Sequence, residues 1–318
     1  MAKPRTQPTW LPGLLTNLAT VSGVGYVALA YSLSRWLTRP THRKIASTPA
    51  DYGLAWEPLS CRTSDGLHLN GWVVNPPAPR ATVTLFHGLR NTREQTLTRT
   101  AFLAAAGYRC VAFDHRAHGE SHGKRSSFGF HEFRDVIAIL DLVADRWRDQ
   151  PRAALGMSMG AAALCYAADH VRGLDAIILE SLYHDIASAF RNRLSAEFPP
   201  TVKRLSRGVL WVTERRLGLR VSQLAPIEHI GKLAPSPVLL LTGAEDSHAL
   251  PSEAQQLFER CQPPCEFMLV PRAGHTDVCE TGGLAYQTSV LSFLERHLFG
   301  SSGPVSADWS CAIPPHCL

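Results

Sequence analysis

The chain has 318 residues, 45% of them hydrophobic and 19% charged, with a formal net charge of +5. That balance excludes a disordered or fibrous chain and provides for one large α/β domain with additions. The basic residues are scattered with no basic-aromatic stripe, which argues against nucleic acid as a partner. No Gly-rich dinucleotide motif or phosphate loop occurs, so no nucleotide cofactor is implied.

From Thr6 to Ser34 there is no charge. The run "LPGLLTNLATVSGVGYVALAYSL", Leu11–Leu33, is long enough as a helix to cross a ~30 Å hydrocarbon core. Trp10 and Trp36 flank it like interfacial anchors. Residues 1–38 are therefore expected to be a single-pass membrane anchor with its flanks. Two other readings stay open: a cleaved signal peptide, because Ala28-Leu29-Ala30 resembles a small-x-small site, and a buried helix. The basic residues Arg35, Arg39, Arg43 and Lys44 outnumber Lys3 and Arg5, which leans toward a cytoplasmic main domain.

Residues 39–56 read as a linker and 57–299 as the main domain. "WEPLSCRT" and "LHLNGWVV" are two strands joined by a Ser64-Asp65-Gly66 turn. "ATVTLF" is a short buried strand, a helix covers 93–106 and stops at Gly107, and "YRCVAF" is the next strand. Phe133, Ile137, Leu140 and Val143 have helical spacing within 131–148. "RAALGM" is a strand that runs into Ser158, and the small-residue helix "MGAAALCYAADH" follows at once. "LDAIIL", "SPVLLLTG" and "EFMLV" are further strands, with helices at 251–261 and 284–298. Strands alternating with helices imply a mostly parallel sheet covered on both faces.

The stretch 184–232 breaks this rhythm between two core strands and reads as an inserted helical cap. Its apolar residues Phe190, Leu194, Phe198, Val209, Leu210 and Trp211 are either core of a helix pair or lining of an acyl pocket. Residues 300–318 read as a flexible tail. Of eight cysteines, Cys61, Cys110 and Cys165 sit in apolar runs and read as core. Cys261 and Cys265 lack a second metal-like pair, and Cys311 and Cys317 lie in the tail.

"GMSMG", 156–160, places Ser158 between two glycines, a pattern that means little without context. Here the context is a buried strand before it and a small-residue helix after it. A sharp strand-to-helix turn needs neighbours without bulk and presents a strained serine at the strand's carboxyl end. The helix amino terminus favours negative charge, as an oxyanion requires. A serine hydroxyl needs a base, and His275 lies in the loop after the last strand. The acid belongs after the preceding strand, where Asp246 is favoured, with Glu245 and Glu180 as alternatives. Asp277, two residues from His275, is less able to fold back onto its ring. The backbone N–H groups of Met159 and of Leu89, in "HGLRN", are the candidate oxyanion donors. His87 is read as ordering that loop.

"LFHGLRN", "FDHRAHGES", "LGMSMGA", "LLLTGAEDS" and "RAGHTD" together resemble the α/β-hydrolase superfamily, in particular monoacylglycerol-lipase-like and serine-aminopeptidase-like hydrolases. The resemblance covers roughly residues 54–298. It implies a mostly parallel central sheet with helices on both faces and a small helical cap. It also implies a triad of Ser158, Asp246 and His275, with no cofactor and no metal. His115, His118 and His122 invite a metal reading, but two of them lie in the family-like turn "DHRAHGES". Many relatives place a proline three or four residues after the acid, whereas Pro251 stands five after Asp246, which leaves Glu245 open. The expected activity is hydrolysis of esters or thioesters, with a small-molecule or lipid-like acyl substrate. The alternatives are a peptidase, another enzyme class on this fold, and a membrane-tethered binding protein that has lost catalysis.

Overall fold

The computed structural model describes residues 11–197 and 205–300. Eight strands form one sheet: β1 Trp56–Arg62, β2 His68–Val74, β3 Thr82–Phe86, β4 Arg109–Phe113, β5 Arg152–Met157, β6 Ala176–Glu180, β7 Val238–Gly243 and β8 Cys265–Val270. Their spatial order is β8-β7-β6-β5-β3-β4-β2-β1. β1 and β2 are antiparallel and β2 pairs antiparallel with β4, while β3 to β8 are mutually parallel.

The parallel strands β3, β4, β6 and β7 are buried on both faces, which explains why they read as continuous apolar runs, while the edge strand β8 is only half-buried. Alternate side chains feed two cores. Phe86, Leu179 and Leu240 point to the face covered by α3 Phe133–Arg146 and α4 Met159–Tyr166. Val83, Leu85 and Leu239 point to the face covered by α2 Leu97–Ala105 and α8 Val278–Phe299. The expected helix at 93–106 opens instead as a 3-10 turn, Arg93–Thr96, because Thr92 caps it through the N–H of Glu94. α8 starts earlier than expected and breaks at Gly283, which has φ 50°.

Between β6 and β7 the chain leaves the sheet to form α5 Ile186–Glu197 and α6 Leu205–Leu217. α7 Pro251–Arg260 follows β7.

The end of α1 and the residues that follow it pack on the main domain. The uncharged run lies in α1, Leu11–Thr38, but among the described residues no helix is long and apolar enough to cross a membrane. The end of α1 is seated on α6. Ala30 and Leu37 are buried in the same core as Val209 and Val212. Ser34 accepts from Thr213 and Arg216, and Thr38 accepts from Arg216, at 2.9 to 3.0 Å. Residues 39–56, expected as a linker, are hydrogen-bonded to the main domain. Thr41 and His42 pair in parallel with His118 and Gly119. The amides of Ala46 and Ser47 both donate to Glu94, and a 3-10 turn follows at Pro49–Tyr52. The tail from 301 onward, with Cys311 and Cys317, and Phe198 in the cap lie outside the described residues.

Candidate active site

Ser158 sits between β5 and α4 with φ 49° and ψ −106°, a backbone region that costs a non-glycine residue energy and survives only where its surroundings fix it. Its N–H donates to the carbonyl of Glu180 at the end of β6, 2.8 Å away, and its carbonyl accepts from Ala162. The two glycines are explained by close approach. A Cβ on Gly160 would collide with the carbonyl of Phe86, and one on Gly156 would lie 2.6 Å from the amide of Ala161. The turn can form only where backbone meets backbone at both positions.

The structure brings Ser158, His275 and Asp246 together. Ser158 Oγ is 3.0 Å from His275 Nε2, and His275 Nδ1 is 2.8 Å from Asp246 Oδ2. A proton on Nδ1, donated to the carboxylate, leaves the Nε2 lone pair facing the hydroxyl. Asp246 is 2% exposed, and its other oxygen accepts from the amides of His248 and Ala249. Its orientation is therefore fixed on both sides.

The alternative acids are placed elsewhere. Glu245 is exposed. Asp277 accepts from Gly274 N–H and Thr281, and so holds the loop that carries His275. The Glu180 carboxylate receives Arg99 at 2.5 and 3.0 Å and the Tyr286 hydroxyl at 2.7 Å. Burial, with the Glu180 charge beside it, pushes the Tyr286 phenol well above its ordinary pKa, so it stays a donor.

Both candidate oxyanion donors line the cavity at Ser158. Met159 is the first residue of α4, so no carbonyl four residues back within the helix takes its N–H. In the β3 loop, Gly88 N–H donates to Gln95 and Arg90 N–H donates to His118 Nε2. The amides on either side of Leu89 are thus occupied, and Leu89 itself lines the cavity. His87 is fully buried; its Nε2 accepts from His115 N–H, and its Nδ1 meets the carbonyl of Gly88 at 2.7 Å. Burial, with His115 and His118 nearby, holds His87 well below the ordinary imidazole pKa. Burial brings His118 to about 4. Both rings are neutral near pH 7 and serve as fixed acceptors under the loop.

The cavity has a volume of about 500 Å³ and runs from Ser158 between the sheet and the inserted helices. Leu37, Phe128, Tyr183, Ile186 and Phe190 give it apolar walls, and Trp36 closes one side. Of the cap residues singled out in the sequence, Phe190 lines the cavity while Val209 is buried in the core. Trp211 is half exposed under Arg215 on the outer face, away from the cavity, because α6 turns Val209 and Val212 inward. Sequence reasoning missed Gln95, Arg90 and Trp36. Only His118 had a visible signal, its place in the "DHRAHGES" turn.

Residues 77–223 match the family model described as serine aminopeptidase, S33. An uncharacterized protein of Bacillus subtilis, YqkD, is 26% identical over 73% of this chain and 76% of its own length. A Saccharomyces cerevisiae protein described as an uncharacterized membrane protein is 26% identical over 78% of this chain and 83% of its own. Among solved structures, an esterase of Pyrococcus furiosus superposes with a TM-score of 0.70 at 22% identity, covering 82% of this chain and 98% of the esterase.

Proposed function

We propose that this chain, which has the α/β-hydrolase fold, is a serine hydrolase that cleaves esters or thioesters through an acyl-enzyme on Ser158. The observation that carries the reading is the Ser158–His275–Asp246 hydrogen-bonded series, set on a strained turn at the floor of an apolar cavity. Ser158 Oγ attacks the carbonyl carbon while its proton passes to His275 Nε2. Asp246 stabilises the imidazolium that results. The Leu89 and Met159 amides receive the charge that develops on the carbonyl oxygen. His275 returns the proton to the departing alcohol or thiol. A water then attacks the acyl group and gives its proton to His275, which passes it to Ser158 Oγ as the acid departs and the free serine is restored.

Two observations support ester over peptide substrates. Glu180 is the one carboxylate among the described lining residues, and it is occupied by Arg99 and Tyr286. A peptide amine would need an uncommitted acid. The apolar walls suit an acyl chain. Labelling with a fluorophosphonate probe tests the reading. Intact mass is expected to show one adduct on the native protein and none on folded Ser158→Ala. A folded native protein that takes no label would favour a non-catalytic binding role.

We infer also that α1 meets a membrane surface with the turns that precede its seat. Val24, Val27 and Leu29 are 65%, 51% and 46% exposed, and the yeast relative is described as a membrane protein. Flotation with liposomes should carry the native chain and lose a Val24→Ser, Val27→Ser, Leu29→Ser variant. Equal flotation of the two would remove this reading.

A further inference from the structure

The mouth of the cavity is positively charged. Arg90, the residue after Leu89, and Arg193 on α5 both line it. The Arg90 guanidinium lies 3.9 Å from the centroid of the Trp36 ring, which orients the cation without neutralising it. Among the described residues no carboxylate pairs with Arg90, and Glu180, the acid in the lining, is taken by Arg99 and Tyr286. The Arg90 backbone is fixed as well: its φ is 64° and its N–H donates to His118. Burial, followed by the like charges of Arg39 and Arg193, lowers its pKa from the ordinary value. A cation held on a rigid loop, beside like charges and an apolar cavity, is electrostatically unfavourable until an anion arrives.

We propose that the substrate carries an anionic group, a carboxylate or a phosphate, which Arg90 seats while the apolar acyl chain fills the cavity and its carbonyl faces Ser158. This rests on the hydrolase reading of Ser158. Adjacent Cα atoms are about 3.8 Å apart, so Arg90 stands one residue from a candidate oxyanion donor. The anion is therefore within side-chain reach of the scissile carbonyl, on the substrate itself. The competing explanation is that Arg90 only covers the Trp36 ring and keeps its charge in water.

Matched esters separate the two. The kcat/KM values are measured for p-nitrophenyl butyrate and the p-nitrophenyl monoester of glutaric acid, and for a monoacylglycerol and a lysophosphatidate of equal acyl length. The second pair against the first distinguishes phosphate from carboxylate. The native protein should prefer the anionic member of at least one pair by roughly tenfold or more, the scale of one charge-assisted hydrogen bond. Arg90→Gln should erase most of that ratio, chiefly through KM. Equal kcat/KM within both pairs, or an Arg90→Gln loss equal on both members, overturns the proposal. Calorimetric titration of Ser158→Ala with dodecyl phosphate and with dodecanoate separates this from the hydrolase reading. Binding that Arg90→Gln weakens, in a protein that turns over no ester, sinks the hydrolase reading and keeps the anion site. Turnover without charge preference does the reverse, and no binding with no turnover removes both.

Discussion

The amide of Ser158 and the carbonyl of Glu180 are joined at 2.8 Å, so the strained turn is fastened to the neighbouring strand at the residue whose side chain is most firmly held. Arg99 and Glu180 are 1% and 2% exposed as side chains and meet at 2.5 Å. Arg99→Ala would leave a buried carboxylate uncompensated, and removing one partner of such a pair costs about 3–5 kcal/mol. Urea unfolding should show a loss of that order. Glu180→Gln in the Arg99→Ala background should restore part of it, since the amide carries no charge. If the double variant is no better than the single, the loss came from packing.

Ser158→Ala and His275→Ala should each lower kcat by about a millionfold, and the double variant should be little worse, because the members of such a series act as a unit. Asp246→Asn should cost less, on the order of ten-thousandfold, and Glu245→Gln should cost little. Steady-state rates on one chromogenic ester check all four. Losses that multiply in the double variant would place His275 outside the proton path.

Phe190 and Trp211 should behave differently. Phe190 lines the cavity, and each methylene of apolar wall removed there should shift acyl-length preference by about 1–3 kcal/mol of discrimination. Trp211 faces outward at 50% exposure, so Trp211→Ala should leave the chain-length profile as it was. Rates across a series of p-nitrophenyl esters give both answers, and a shift caused by Trp211→Ala would contradict the placement of α6.

The neutral imidazole beneath Arg90 makes stability depend on acid. The folded His118 pKa lies near 4, against an ordinary 6.5. As pH falls from 6.5 toward 4, the unfolded chain takes up a proton that the folded chain refuses. The contribution is thus complete above about 6.5, is lost across that window and levels off below it, at about 1.4 kcal/mol per pH unit for one proton. His118→Gln should flatten the measured slope by about one proton relative to the native protein. Parallel slopes would mean that His118 is protonated when folded.

Removal of residues 1–38 should cost both stability and activity. It deletes Trp36 and Leu37 from the cavity wall and removes the Ser34 and Thr38 hydroxyls that the Arg216 guanidinium donates to. Removal of residues 1–22 keeps the wall and these hydrogen bonds, and should preserve thermal midpoint and ester turnover. Equal activity of the two truncations would show that α1 is dispensable.

The sheet and the three residues that the structure hydrogen-bonds in series were legible in the sequence because each leaves a local mark. Ser158 follows an apolar run and precedes a run of alanines, and Asp246 and His275 each follow a strand. The choice of Asp246 over Glu245 was not local. It depends on which residue the turn after β7 buries, and that turn is held by the His248 and Ala249 amides. The cavity walls were harder still. Trp36 reaches the cavity only because α1 lies on α6, and the polar groups of Ser34 and Thr38 that fix this docking look, in sequence, like ordinary small residues of an apolar helix. The apolar run alone supported a membrane reading because length and hydropathy do not record where a helix is seated.

The pairing of Ser34 with Thr213 spans 179 residues. At a synthesis rate of about 5–20 residues per second, roughly 9–36 seconds separate the appearance of one from the appearance of the other. Through that interval α1, with Val24, Val27 and Leu29 along it, exists without the surface that later receives it. The seat of α1 is thus completed only when α6 emerges, and until then its exposed apolar turns are open to association with other chains.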